Sequence, residues 1–350
     1  MTELNMKAVG YLKSLPITDV DSLVDINIPK PAATGHDLLV KVKAIAVNPV
    51  DYKIRLKMCA EGNEHKVIGW DAVGEVVATG DTATQFNVGD QVYYAGALMR
   101  QGSNAEYQLV DERIVGKKPA SLSNAEAAAL PLTAITAWEL LFEHFALKQQ
   151  STESTEKSGE VILVVGAAGG VGSILVQLAK AITGATIIAT ASRERSKAWV
   201  SKLGADYVID HSKPFQTQLD TLIENEGIGQ VTHVASLNGS SEYFDSYIDL
   251  LVPFGKIALI DDPGQIDISK IKMKSLSFHW EFMFARSMFD AKDISEQSIL
   301  LNRVSELVDQ GHIRTTIGKN LGTINAEHLK LAHAELESGT SIGKIVLEGF

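Results

Sequence analysis

The sequence predicts a mixed α/β fold in which a doubly wound parallel sheet is inserted into a β-rich domain. From Val161 onward, apolar strand-like segments alternate with helical segments, which is typical of parallel strands joined by crossover helices. The first third carries short strands separated by glycine turns instead. After about residue 290 the crossover pattern stops. We therefore expect the end of the chain to return to the first domain.

The first third is predicted to form strands, because residues 37–47 partly alternate between apolar and polar side chains. The predicted strands are 37–47, 71–80, 91–95 and 106–110. Residues 123–147 are rich in Ala and Leu at helical spacing, and Ser123 with Glu126 forms a capping-box pattern at their start. The polar stretch 148–160 is predicted to be a surface loop.

The remaining elements follow from the same periodicities. Predicted strands are 161–165, 186–190, 207–209, 231–236 and 256–260, and predicted helices are 171–182, 193–203, 214–226 and 241–251. The tail is predicted to form helices 295–309 and 326–338 and a final strand 344–347.

Composition excludes several classes of protein. The chain of 350 residues carries a net charge of −11, so it repels phosphate backbones and nucleic acid is not an expected partner. A single cysteine, Cys59, cannot form an internal disulfide, which indicates a reducing compartment. Residues 161–179 are long and uncharged, but their glycines favour a strand and turn over a membrane span. We expect a cytoplasmic protein with no signal peptide and no membrane partner.

A glycine-rich turn, Gly166-Ala-Ala-Gly-Gly-Val-Gly172, follows a predicted strand and opens a predicted helix. Glycines let backbone N–H groups approach a pyrophosphate, and the helix N-terminus adds partial positive charge. The alternative is a turn that binds no ligand. Because strand, helix and crossovers are all present, the pattern predicts a Rossmann dinucleotide site.

The end of the next strand discriminates between the two pyridine nucleotides. NAD enzymes place an acidic residue there to bind the ribose hydroxyls, whereas this chain reads Thr190-Ala-Ser-Arg-Glu-Arg-Ser-Lys197. Ser192, Arg193 and Lys197 could bind a 2′-phosphate, which a carboxylate would repel. The alternative is a solvated helix start with unrelated charges. We expect NADP(H).

Six segments together resemble the medium-chain dehydrogenase/reductase superfamily over essentially the whole chain. They are residues 46–55 (AVNPVDYKIR), 68–76 (IGWDAVGEV), 88–92 (VGDQV), 102–107 (GSNAEY) and 130–137 (LPLTAITA), and the glycine turn followed by Gln177 and Lys180. The resemblance is to the quinone oxidoreductase, or zeta-crystallin, branch and most of all to the subgroup named zinc-type alcohol dehydrogenase-like. It implies a GroES-like substrate domain, a nicotinamide cofactor and a homodimer. The expected divisions are a GroES-like first part (1–128), the Rossmann domain (129–285) and a return to the substrate domain (286–350).

No metal is expected despite the subgroup's name. Zinc-dependent relatives supply a Cys and a His where this chain has Asn48 and Trp70, and their cysteine-rich loop is absent here. His65 lies near Cys59 in sequence, but a catalytic zinc takes three protein ligands.

The resemblance also implies the site residues. Asn48 is expected to face the nicotinamide, and Tyr52 or Lys53 to donate a proton, although Lys53 as a surface cation is an equal alternative. Asp51 is expected to anchor its loop through Arg55. The expected cofactor-binding residues are Asn48, Thr136, Gly166, Ala168, Gly169, Gly170, Val171, Gly172, Ser192, Arg193, Lys197, His211, Leu237, Ile260 and Lys344. Trp70, Phe282 and Phe284 are expected to line the substrate pocket, with core packing as the alternative for the two phenylalanines.

These expectations predict an NADPH-dependent oxidoreductase that transfers hydride to quinones or α,β-unsaturated carbonyls without zinc. Two alternatives stay open. One is an enoyl-thioester reductase, and the other is a non-enzymatic NADPH-binding protein of the crystallin type.

Overall fold

The computed structural model describes residues 5–350. Its strands are β1 (Asn5–Tyr11), β2 (Val24–Pro29), β3 (Asp37–Val47), β4 (Lys66–Val67), β5 (Asp71–Thr79), β6 (Gln91–Tyr94), β7 (Tyr107–Asp111), β8 (Val115–Lys117), β9 (Val161–Val165), β10 (Thr186–Thr190), β11 (Tyr207–Ile209), β12 (His233–Ser236), β13 (Lys256–Leu259), β14 (Ser277–Trp280), β15 (Ile317–Asn320) and β16 (Lys344–Glu348). Its α-helices are α1 (Pro49–Lys57), α2 (Asn124–Ala128), α3 (Pro131–Trp138), α4 (Gly170–Ile182), α5 (Glu194–Lys202), α6 (Phe215–Glu226), α7 (Ser240–Leu250), α8 (Ala285–Met288), α9 (Glu296–Asp309) and α10 (Ala326–Glu337).

The chain divides into two compact units. The first contains the described residues through Ile135 together with Phe284–Phe350, and the second is Thr136–Met283. The sequence predicts divisions at 128/129 and 285/286, whereas the compact units divide at 135/136 and 283/284. The second unit is thus an insertion between two segments of the first.

The first unit is β-rich. Its larger sheet has the order β15-β16-β3-β5-β6-β8, with β7 also paired to β3, and a smaller sheet has the order β2-β1-β4. Strand β16 from the end of the chain runs antiparallel to β3, and Ile345 pairs with Val47. This pairing sets Lys344, the first residue of β16, beside Asn48, the residue that follows β3.

The second unit contains a six-stranded sheet in the order β11-β10-β9-β12-β13-β14, and every pairing in it is parallel. Strand β9 is fully buried at the point where the strand order reverses, between β10 and β12. In doubly wound sheets, ligands bind beyond the carboxyl ends of the strands at this switch point. The predicted fold class is confirmed.

The predicted helix over 123–147 is interrupted. Ser123 and Glu126 form the predicted capping box, with the Ser123 N–H donating to Glu126 Oε2 at 2.9 Å. The helix breaks before Pro131, because proline lacks the N–H that continues the hydrogen-bond ladder. After α3 the chain continues as a π-helical turn, Glu139–His144, instead of an α-helix reaching residue 147.

The helical stretch Asn124–His144 is the one part of residues 5–350 that is long and apolar enough to cross a membrane. Its most apolar window is 89% buried within the protein, as in the core helices of globular proteins. Length and composition are therefore weak evidence for a membrane span here.

Candidate active site

The glycine turn between β9 and α4 has the geometry of a phosphate cradle. Gly166 takes a left-handed φ of +79°, and its N–H donates to Thr190 Oγ1 at 3.2 Å. A Cβ on Gly172 would lie 2.5 Å from Ala167 Cα, so only glycine allows the helix to approach the turn this closely. Gly169 precedes the first helical residue, and a Cβ there would meet only the Gly166 carbonyl, at 3.4 Å.

The surface of this turn is accessible and suits an anion. Ala168, Gly169, Gly170 and Val171 are all partly exposed. The first N–H groups of α4 have no acceptor within the helix, and the helix dipole adds partial positive charge at the same end. The residues present therefore fit the pyrophosphate of a dinucleotide.

The end of β10 offers hydroxyls and cations to a ligand. Thr190 is buried, Ser192 is partly exposed, and Arg193 is exposed at the start of α5. Lys197 lies on the first turns of α5, where its ammonium pairs with Glu194 at 3.0 Å. No carboxylate occupies residues 190–193. This set of side chains fits a ribose 2′-phosphate.

Two other predicted cofactor residues lie at the carboxyl edge of the same sheet. The N–H of Leu237, after β12, donates to the Val165 carbonyl at 3.0 Å, and that of Ile260, after β13, donates to the Ser236 carbonyl at 3.3 Å. A Cβ on Gly166 would lie 3.5 Å from the Leu237 Cβ. The structure thus brings Leu237 and Ile260 to the edge that carries the glycine turn.

The remaining predicted residues of the second unit are less diagnostic. His211 follows β11 and is partly exposed, Thr136 is buried at the start of the unit, and Phe282 is 47% exposed after β14. Their contacts with cofactor or substrate stay predictions.

A buried polar cluster in the first unit contains Asn48, Asp51, Asp71 and Lys344, each at most 3% exposed. The Lys344 ammonium donates to Asp71 Oδ2 and to the Val47 carbonyl, each at 3.0 Å, and also to Asn48 Oδ1. Asn48 Nδ2 donates to Asp71 Oδ2 at 2.8 Å. The pairing of β16 with β3 produces this arrangement, because it joins residues almost 300 positions apart.

These contacts fix the orientation of the Asn48 amide. Lys344 only donates hydrogen bonds and ionised Asp71 only accepts them, so the amide oxygen faces the ammonium and the amide nitrogen faces the carboxylate. The second Asp71 oxygen accepts from the Leu132 N–H at 2.7 Å. The polar groups of Asn48 and Lys344 are thus engaged in hydrogen bonds within the cluster. The predicted catalytic role of Asn48 and the predicted cofactor contacts of Asn48 and Lys344 stay predictions.

Asp51 completes the cluster at the start of α1. Its Oδ2 accepts the Asn48 N–H at 2.9 Å, while its Oδ1 has no hydrogen-bond partner among the described residues. Burial raises the pKa of Asp51 to about 7, and the Asp71 charge adds to this. The Asn48 N–H and the Lys344 charge act in the opposite direction on this pKa.

The predicted anchoring of Asp51 through Arg55 is wrong. Arg55 is fully buried, and its Nε donates to His333 Nδ1 at 3.2 Å. Its other nitrogens donate to the Leu15 carbonyl and to Glu337. These partners lie on α10 and in a distant loop, so Arg55 ties α1 to the end of the chain instead of to Asp51.

The other predicted residues of the first unit lie on α1 or in its core. Tyr52 and Lys53 are partly exposed on α1. Trp70 is 1% exposed, its indole N–H donates to the Ala97 carbonyl at 3.4 Å, and its ring packs edge-on against Phe284 at 6.0 Å. Core packing, the alternative for Phe284, accounts for these contacts. A substrate-pocket role for Trp70 or Phe284 stays a prediction.

Asp71 is the site residue that sequence reasoning missed. Its signal was a carboxylate within the apolar segment 68–76, where a buried acid requires a partner. The partner, Lys344, is a strand residue near the end of the chain, and no local spacing connects the two.

The donor set does not fit the zinc that the name of the resembled subgroup implies. The expected ligand positions hold the engaged Asn48 amide and the buried Trp70 indole, neither of which is a zinc ligand. Over residues 5–350, no three His, Cys, Asp or Glu side chains converge as a metal site requires.

Two family models match the chain. The alcohol dehydrogenase GroES-like domain matches residues 34–120, and the zinc-binding dehydrogenase family matches residues 170–296. The first match lies in the first unit, and most of the second covers the parallel sheet.

Curated relatives extend the similarity to the whole chain. A zinc-type alcohol dehydrogenase-like protein of Staphylococcus epidermidis is 37% identical over 98% of this chain and 99% of its own length. A 2-methylene-furan-3-one reductase of Solanum lycopersicum is 35% identical over 65% of this chain and 61% of its own length.

Several solved structures are also similar to this chain over almost its whole length. A Rhizobium etli protein, whose name places it among zinc-dependent alcohol dehydrogenases, is 52% identical with a TM-score of 0.92, covering 99% of this chain and 98% of its own. A quinone oxidoreductase of Coxiella burnetii is 27% identical with a TM-score of 0.77, covering 99% and 100%. A mycobacterial protein complexed with NADPH is 25% identical with a TM-score of 0.81, covering 98% and 100%. With a GroES-like unit, a doubly wound sheet and full-length relatives in common, the chain belongs to the medium-chain dehydrogenase/reductase superfamily of oxidoreductases.

Proposed function

We propose that this oxidoreductase uses NADPH to reduce quinones or α,β-unsaturated carbonyl compounds, without zinc. The observation that carries the proposal is the pair of ligand features in the second unit. The open glycine turn suits a pyrophosphate, and the end of β10 offers Ser192 and Arg193 where an NAD enzyme would place a carboxylate. The names of the quinone oxidoreductase, the furanone reductase and the NADPH complex support the same reading.

When bound, the cofactor supplies a hydride and the protein supplies binding, orientation and charge. The amides of residues 169–172 would hold the pyrophosphate, and Ser192 and Arg193 would hold the 2′-phosphate. Reduction of a conjugated acceptor would place the hydride on its β-carbon and leave negative charge on the carbonyl oxygen, as the double bond shifts to give an enolate. Tyr52 or Lys53, both partly exposed on α1, supplies the proton that completes the reduction.

The buried polar cluster contributes fixed charges and a fixed loop position, and it provides no metal ion. It holds one ammonium against one ionised carboxylate and anchors the residue that begins α1. Because no Lewis acid is proposed to stabilise an alkoxide, we expect activated, conjugated acceptors to react in preference to simple ketones. We further propose a homodimer in the cytoplasm that acts on small electrophiles and binds neither nucleic acid nor a membrane.

The test compares NADPH and NADH oxidation with a small quinone and a conjugated enone. Arg193→Asp should reduce kcat/KM for NADPH by about a hundredfold, because it removes a charge-assisted hydrogen bond and puts a repulsive carboxylate in its place. The kcat/KM for NADH should change by no more than about twofold. Lys157→Asp is the matched control, because it reverses a charge in the loop before β9, at the opposite edge of the sheet. Equal losses with both cofactors would contradict the 2′-phosphate assignment.

The same assay separates the alternatives. Turnover of an enoyl-CoA but not of quinones would indicate the thioester reductase. Tight NADPH binding without turnover of any acceptor would indicate the crystallin type. Stoichiometric zinc in the purified, active protein would overturn the metal-free part of the proposal.

A further inference from the structure

Asp51 combines deep burial with an unused oxygen. It is 1% exposed, and only Oδ2 has a hydrogen bond, from the Asn48 N–H at 2.9 Å. Its Oδ1 has no partner among residues 5–350. An ionised carboxylate with an unsolvated oxygen costs far more free energy than a neutral acid in the same place.

The balance of charges around Asp51 also favours its neutral, protonated form. Asp71 on β5 and Lys344 on β16 face it and form an ion pair with each other at 3.0 Å. On α10, which packs against α1, His333 and Glu337 bind Arg55 instead. The buried cluster is therefore neutral when Asp51 is protonated, and it carries one uncompensated negative charge when Asp51 is ionised.

We propose that Asp51 holds a proton in the resting protein and that loss of this proton to solvent slows hydride transfer. Asp51 is in this sense a positioning residue, because its protonation state sets the charge of the cluster. The rate effect rests on the proposed function, in which negative charge develops on the acceptor oxygen. An added buried anion disfavours that charge, so the reaction is faster while Asp51 is neutral. Burial, which raises the Asp51 pKa to about 7, places the transition within the working range of an enzyme.

The first test does not depend on activity. The infrared difference spectrum between the wild type and Asp51→Asn should show, below pH 7, the carbonyl stretch of a protonated carboxylic acid that disappears as the pH rises. Asp90→Asn is the matched control, because Asp90 Oδ2 accepts the Asn87 N–H at 2.8 Å in the same Asn-x-x-Asp spacing but outside the cluster. A carboxylate band at pH 6 in place of the acid band would overturn the proposal.

The second test is the pH profile of kcat/KM. For the wild type we expect a decrease of about tenfold between pH 6.5 and 8.5, since most of the neutral form is lost over that interval. Asp51→Asn is permanently neutral and should lose this decrease, whereas Asp90→Asn should keep it. An unchanged profile in Asp51→Asn would overturn the rate effect.

A third measurement needs no variant and so remains decisive if Asp51→Asn does not fold. Between the unfolded pKa near 4 and the folded pKa near 7, the native state binds one more proton at Asp51 than the unfolded state does. The carboxyl carbon-13 NMR signals of the folded, aspartate-labelled protein should therefore include one that titrates near pH 7, and a set of aspartate signals that all titrate below about pH 5 would overturn the proposal. An acid band without turnover of any acceptor would reject the proposed function and support the protonated Asp51.

Discussion

At the scale of single residues, two glycines of the same turn have separable roles. Gly172→Ala places a Cβ 2.5 Å from the Ala167 backbone, so we expect it to reduce both the melting temperature and NADPH affinity. Gly169 has a φ that any residue adopts and space for a Cβ at 3.4 Å. Gly169→Ala should therefore fold normally but weaken NADPH binding by about tenfold or more, because its methyl group occupies the phosphate approach.

Thermal unfolding without ligand and calorimetric titration with NADPH measure the two effects separately. Gly89→Ala, in a turn of the first unit where a Cβ meets nothing within 4 Å, controls for the general cost of alanine at a turn. Its φ of +100° should reduce stability but not affinity. If Gly169→Ala bound NADPH as tightly as the wild type, the turn would not be the phosphate cradle.

Residues whose partners are close in sequence were the predictable ones. The glycine turn, the Ser123–Glu126 cap and the missing carboxylate after β10 are all local patterns. Asp71 with Lys344, and Arg55 with His333, are not predictable in this way, because each pair is more than 270 residues apart. Asp51 and Arg55 lie one helical turn apart, which favours a local pair, but the buried partners on α10 compete successfully for the arginine.

At the scale of elements, α1 is held by α10 through Arg55 and a neutral imidazole. Burial lowers the pKa of His333 to about 3, and the Arg55 charge lowers it further, because Nδ1 accepts from the guanidinium. At pH values between the folded pKa near 3 and the unfolded pKa near 6.5, His333 is therefore protonated in the unfolded state but not in the folded state. The stabilisation from neutral His333 is complete above about pH 6.5 and is lost as the pH falls toward 3.

We expect His333→Gln to flatten this acid limb, because its amide oxygen accepts from Arg55 but takes no proton. The free energy of unfolding, measured by urea at several pH values, should lose up to about 1.4 kcal/mol per pH unit of slope between pH 6 and 4. His233, whose pKa burial lowers to about 4, keeps part of the acid sensitivity. His328→Gln, on the same helix, should leave the slope unchanged; an equal effect there would contradict the role of His333.

Element types were more predictable than element ends. Apolar periodicity identified β9, α4 and β10 because each is a local pattern buried on the expected face. The helix from residue 123 ended differently, since Pro131 breaks the ladder and a π-helical turn follows α3. Periodicity alone does not register either change.

At the scale of the whole molecule, the insertion explains why the end of the chain matters for the candidate site. β16 completes the sheet beside β3 and delivers Lys344 to Asn48 and Asp71. The crossover pattern of the second unit could be read from sequence, whereas the pairing of β16 with β3 could not. Removing the last strand should therefore disturb the first unit and leave the six-stranded sheet as a separate compact body.

The six-stranded sheet of the second unit ends in two edge strands, β11 and β14, and we expect the proposed homodimer to form at the longer one, β14. β14 is an edge strand of the sheet, and within residues 5–350 no strand pairs with its outer side. The N–H groups of Ser277 and Glu281 donate toward β13, so those of Phe278 and Trp280 point to the open side, since successive residues alternate. An open edge of this kind favours pairing with the same strand of a second copy.

Trp280 allows the edge to be tested without disrupting the sheet. Trp280→Ala removes a side chain that is 51% exposed but keeps the outward N–H, whereas Trp280→Pro removes both and leaves the β13 pairing intact. By sedimentation velocity, we expect the wild type to be dimeric and the alanine variant to remain largely dimeric. The dissociation constant of the proline variant should rise at least about tenfold, because the symmetric interface loses two backbone hydrogen bonds and a tenfold change needs only about 1.4 kcal/mol of dimerisation free energy. A proline variant that dimerised as tightly as the alanine variant would place the interface elsewhere.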